Sequence, residues 1–150
     1  MNISDSELTR AKQKGLAILA YSAYSAKAVK TKLMQKGFSE EISESVIEYL
    51  TEKGFLNEVR DATRLCESLL KKKYGRKRIL SSLRAKGYGD DAFCAAEEFL
   101  DEVDFVGLCR QVIDAKWGQM PKDLAEMQKA IAKLVALGYN VGEIKNAMRQ

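Results

Sequence analysis

Apolar residues recur along this chain with the period of an α-helix. Between Ser39 and Glu52, Ile42, Val46, Tyr49 and Leu50 stand at i, i+4, i+7 and i+8, which places them on one helical face. Ala92, Ala96, Phe99 and Leu100 repeat that stripe, and Val141, Ile144 and Met148 suggest it a third time. A shorter stripe, Val29 and Leu33, precedes the first of these helices. Ser25 and Ser39 are suited to cap helix starts, and Gly37 is suited to the left-handed conformation that stops a helix.

These stripes belong to an internal repeat. "KLMQKGFSEEISESVIEYLTEKGF" (Lys32 to Phe55) falls without a gap on "SLRAKGYGDDAFCAAEEFLDEVDF" (Ser82 to Phe105), with Leu33 on Leu83, Gly37 on Gly87 and Leu50 on Leu100. Upstream the register holds Tyr24 over Tyr74 and Val29 over Ile79. "KLVALGYNVGEIKNAM" (Lys133 to Met148) is a looser third copy; its leading helix ends in "KWGQMPKD", where Trp117-Gly118 resembles Tyr74-Gly75 ahead of a longer, Pro-containing connection. The pattern predicts an all-α protein, an elongated tandem array of three three-helix repeats spanning residues 1–58, 59–106 and 107–150. Units this small are marginal alone and depend on packing against their neighbours.

Composition narrows the function classes. With 46% hydrophobic residues and one proline, Pro121, in 150 residues, the chain is neither disordered nor collagen-like. No apolar run reaches the roughly 18 to 20 residues of a membrane span, and "MNISDSELTRAKQKG" is too polar for a secretory signal, so the expected compartment is the cytoplasm. Cys66, Cys94 and Cys109 form no CxxC and fall in apolar patterns, which reads as small buried hydrophobes. There is no histidine, which removes Ser-His-Asp and Cys-His nucleophiles and His-ligated zinc. Lysine-based or paired-carboxylate chemistry stays open in principle, but the acids fall on helix surfaces without a pocket signature, and no phosphate-binding glycine loop is present. The expectation is a protein without catalysis, metal or cofactor.

The net charge of +4 understates the local fields. Every charged residue between Thr9 and Ser39 is basic, and Glu40, Glu41, Glu44, Glu48 and Glu52 dominate the next stretch. The second repeat switches more strongly, from Lys71–Lys86 into Asp90, Asp91, Glu97, Glu98, Asp101, Glu102 and Asp104. On successive repeats such stripes would align into an extended basic face and an extended acidic one. The first candidates for a partner contact are Lys71, Lys72, Lys73, Arg76, Lys77, Arg78, Arg84 and Lys86; Lys27, Lys30, Lys32 and Lys36 come second.

The run S-x-K-x-V-x-x-K-L-x-x-K-G-F (Ser25 to Phe38), the connector "GFLNEVR" (Gly54 to Arg60) and Y-G-R-K-R-I-L-x-x-L-R-A-K-G-Y (Tyr74 to Tyr88) resemble the bacterial RecX family, regulators of the RecA recombinase. The resemblance departs at Asp61-Ala62, where the family places an aromatic residue before the alanine. It implies a modulator that lies along the RecA filament on single-stranded DNA and limits its extension, ATP turnover, strand exchange and coprotease activity, within recombination, DNA repair and the SOS response. The implied partners are the RecA nucleoprotein filament and single- or double-stranded DNA, bound by a monomer without membrane contact. A helical DNA-binding module, or a protein-interaction scaffold unrelated to recombination, is the alternative. Against a helix-turn-helix reader stands the absence of Asn and Gln, the adenine-reading side chains, from the basic block.

Overall fold

The computed structural model describes residues 5–149; residues 1–4, at the start of the first expected repeat, and Gln150, at the end of the third, lie outside it. Among the described residues the chain is all-helical. The first three helices are α1 (Asp5–Tyr21), α2 (Ala26–Gln35) and α3 (Glu40–Glu52), followed by α4 (Glu58–Lys71), α5 (Arg76–Ala85) and α6 (Asp90–Asp101). The last three are α7 (Phe105–Trp117), α8 (Leu124–Ala136) and α9 (Val141–Met148). No described helix is long and apolar enough to cross a membrane.

Helix starts follow side-chain chemistry. Ser25, Ser39, Asn57, Asp104, Asp123 and Asn140 each accept a hydrogen bond from an amide of the first turn they precede. Asn140 completes a reciprocal pair, because Glu143 reaches back to its amide. Among the described helix starts two have no such residue: Gly75 precedes α5 and Gly89 precedes α6. The carbonyls of Leu137 and Gly138, in the turn after α8, accept from the amides of Gly75 at 2.7 Å and Lys77 at 3.2 Å, and a carboxylate oxygen of Glu58 accepts from Gly89. Helices α5 and α6 are thus capped by groups that lie outside their own starts.

The apolar stripes close two cores. Ala11, Val29, Leu33, Ile42, Val46, Leu50 and Leu56 form one inside α1–α3. The second joins α4–α6 to α7–α9 around Ile79, Leu83, Leu100, Cys109, Ile113, Leu134, Tyr139 and Ile144. The accessible surface, 9252 Å², exceeds by about a fifth the roughly 7,700 Å² of a compact monomer of this mass, as an extended array requires.

Register equivalents take equivalent places. Leu33, Leu83 and Leu134 are fully buried, and Gly37, Gly87 and Gly138 have φ of 98°, 82° and 110°. Three expectations need correction. Trp117-Gly118 is not the counterpart of Tyr74-Gly75: Gly118 ends α7 at φ 74°, whereas Gly75 starts α5 at φ −82°, and Asp123 occupies the capping place in the third repeat. Val141 is 53% exposed, and Ala147 joins Ile144 on the buried face of α9 instead. Cys94 is exposed, whereas Cys66 and Cys109 are buried.

Two substitutions test this packing. Leu83→Ala removes a fully buried side chain and should lower unfolding free energy by about 2 to 5 kcal/mol, read as a shift in the urea midpoint. Gly138→Ala should destabilise by more than about 1 kcal/mol, because its Cβ would lie 2.7 Å from the Arg78 amide at a φ that side chains avoid. Unchanged midpoints would contradict the repeat packing.

Candidate partner-binding groove

The basic residues fall into three groups once the chain is folded. Lys27 and Lys32 of α2 meet Arg84 and Lys86 from the end of α5 across a groove of about 330 Å³, with Ala28, Thr31, Gln35, Ala85 and Gly87 completing its lining. Four cations line it and no acid does. Lys27, Thr31 and Gln35 share one face of α2 because they stand at i, i+4 and i+8.

The junction of the first two repeats brings these faces together. The Ser25 hydroxyl accepts from the Ala28 amide at 3.1 Å and donates to the Lys86 carbonyl at 2.7 Å, so one side chain caps α2 and ties down the α5 turn. Glu58, at the start of α4, accepts from the Ala26 amide at 2.7 Å through one oxygen and from the Gly89 amide at 3.1 Å through the other. Its negative charge therefore sits at the first turns of α2, α4 and α6 together, where the helix dipoles favour it. Aromatic rings steady two of the groove cations: Lys32 lies 4.8 Å over Tyr24 and Arg84 4.4 Å over Phe93.

The second group surrounds the turn between α4 and α5. Lys73 adopts φ 67°, and the Tyr139 hydroxyl donates to its carbonyl at 2.6 Å, so the third repeat pins this turn. Lys72 and Lys73 share a hollow of about 260 Å³ with Tyr74, Gln111 and Lys116, and the Lys73 ammonium donates to Gln111 at 2.7 Å. Arg78 lies 4.3 Å over the Tyr74 ring and donates to the Ala136 carbonyl at 3.2 Å. Lys71 and Lys77 are exposed.

The third group is engaged within the molecule or stands apart. Lys30 bonds Glu40 at 3.0 Å and Glu44 at 2.9 Å, and these hydrogen bonds raise its pKa. Arg76 bonds Asp101 at 2.7 Å. The acidic and basic stripes therefore touch at these points instead of running wholly apart. Lys36, exposed at the end of α2, is outside the groove lining.

Burial raises the Cys66 and Cys109 thiols to about 11, so neither is a thiolate nucleophile at neutral pH. Asp61, at the position where the family resemblance breaks, is 7% exposed and accepts from Arg60 Nε at 3.1 Å. Burial, then the charges of Asp61 and Glu58, raise the Tyr88 phenol. No cluster of metal-ligating side chains occurs among the described residues. Sequence reasoning missed Glu58 and Lys116: each bears on a surface formed with another repeat, and neither stands in a charge run.

The described residues thus form an all-helical tandem array with a cationic groove at a repeat junction. A family model described as the first three-helix domain of RecX matches residues 11–50. Over 138 residues the chain is 30% identical to the regulatory protein RecX of Pelodictyon phaeoclathratiforme, covering 89% of this chain and 84% of that one. It is 28% identical to the regulatory protein RecX of Stenotrophomonas maltophilia over 138 residues, 91% of this chain and 84% of that one. The crystal structure of RecX from Lactobacillus salivarius superposes with a TM-score of 0.84 at 17% identity, covering 97% of both chains. A second structure, of a regulatory protein RecX, gives 0.77 at 17% identity over all of this chain and 80% of that one. The chain belongs to the RecX family of regulatory proteins.

Glu58→Ala removes both junction hydrogen bonds to a carboxylate and should cost about 2 kcal/mol or more, with faster amide exchange at Ala26 and Gly89. Exchange at those two amides identical to the parent's would contradict the role given to Glu58.

Proposed function

We propose that this protein restrains a RecA recombinase by binding its filament on single-stranded DNA, limiting extension, ATP turnover, strand exchange and coprotease activity. The observation that supports this reading most is the groove of Lys27, Lys32, Arg84 and Lys86, built jointly by two repeats and free of acidic lining. A surface of one sign, held on rigid helices, suits an acidic protein face or a phosphate backbone, and the extended array suits a repeating partner. The protein acts here by occupancy, with no chemistry of its own, as the absence of histidine and of a phosphate loop suggests.

The test is RecA ATPase on single-stranded DNA, with this protein and with a variant combining Lys27→Ala, Arg84→Ala and Lys86→Ala. The parent is expected to slow turnover. The variant, still helical by circular dichroism, is expected to need about tenfold more protein for the same effect. No slowing by the parent would refute the function, and equal potency of the variant would refute the groove. If the variant loses DNA binding while filament inhibition is unchanged, the groove belongs to a plain DNA-binding module.

A further inference from the structure

Tyr21 ends α1 with 86% of its surface exposed, the highest value among the large hydrophobic residues described. A ring so exposed lies outside both cores of the folded chain. It lines a hollow of about 260 Å³ together with Ala17, Ile18 and Tyr24, and Lys14 and Lys32 supply the only charges in that lining. Lys32 already covers the Tyr24 ring, which leaves Tyr21 as the uncovered platform. The same Lys32 also lines the groove that holds Lys27, Arg84 and Lys86, so the two depressions share this residue.

We propose that Tyr21 is a stacking platform for an unpaired base of single-stranded nucleic acid, whose backbone passes Lys14 and Lys32 into the cationic groove between the first two repeats. This rests on the reading of that groove as a phosphate-facing surface. An exposed aromatic ring next to ammonium groups is what a single strand can use: its bases have open π-faces while its phosphates need cations. A duplex keeps its bases stacked on one another and offers only the phosphates. The charge complementarity argues against an apolar protein segment, which would bury Lys14 and Lys32 without neutralising them.

The experiment measures binding of the full-length protein to three fluorescent probes at low salt: oligothymidylate, the same backbone without bases, and a duplex. The parent should bind oligothymidylate roughly tenfold more tightly than the abasic strand. Tyr21→Ala should abolish that preference, leaving duplex affinity and the salt dependence unchanged. Tyr21→Trp should retain it and add a fluorescence quenched by the bound strand. Equal binding of the based and abasic strands by the parent overturns the proposal while leaving the phosphate-facing groove intact. Absence of binding to any probe overturns both. Displacement of the strand by thymidine monophosphate at equal nucleotide concentration overturns the assignment to a single strand. If Tyr21→Ala binds oligothymidylate as the parent does yet loses filament inhibition, the ring meets protein and the proposal is wrong. Base preference without any effect on RecA would sustain the stacking site and refute the proposed function.

Discussion

Gly75 and Gly138 press backbone against backbone, and the arrangement of the last two repeats depends on that contact. A β-carbon on Gly75 would collide with the Gly138 carbonyl group, and one on Gly138 would collide with Arg78. The closeness lets the turn after α8 present two carbonyls to the uncapped start of α5. In return Tyr139 enters the shared core and its hydroxyl fixes the Lys73 turn. The relation recurs one repeat earlier: the turn after α5, with Gly87 at φ 82°, meets the start of α2 through Ser25. The second and third repeats thus each place the turn after their second helix against the start of the preceding repeat's second helix. At the first of these junctions that geometry brings Lys27 of α2 to Lys86 of the turn after α5.

The two junctions differ in kind. The second is continuous with an apolar core spanning α4–α9. The first separates two cores, and hydrogen bonds from Ser25 and Glu58 cross it. Polar bonds at a partly solvated boundary contribute modestly, because each replaces a bond to water. The groove lies at this boundary, with Lys27 and Lys32 on one side and Arg84 and Lys86 on the other. An anion bound there would contact both repeats and offset the mutual repulsion of their cations.

Local signals made the helices legible. Ser25, Ser39 and Gly37 each do what their chemistry and spacing indicate, and the buried equivalence of Leu33 and Leu83 follows from the gapless register. Legibility failed where the third copy diverged: Trp117-Gly118 mimics Tyr74-Gly75 in composition, yet a six-residue connection lets Asp123 take over as the cap. Val141 misled because it begins α9 on the exposed side, while Ile144 and Ala147 carry the buried face. The candidate contact surface was legible only as charge. The division of the cations among the groove, the Lys73 turn and internal ion pairs needs three dimensions, as Lys30 shows by turning to Glu40 and Glu44. Glu58 was invisible for the same reason, since its partners Ala26 and Gly89 lie 32 and 31 residues away.

Amide hydrogen exchange on the whole protein, alone and on a RecA filament assembled on single-stranded DNA, tests the central claim most directly. If two repeats jointly form the contact surface, amides in α2 and in the segment from Arg84 to Gly87 slow together on the filament. Unchanged exchange in both segments, with slowing confined to α7–α9, would contradict the account.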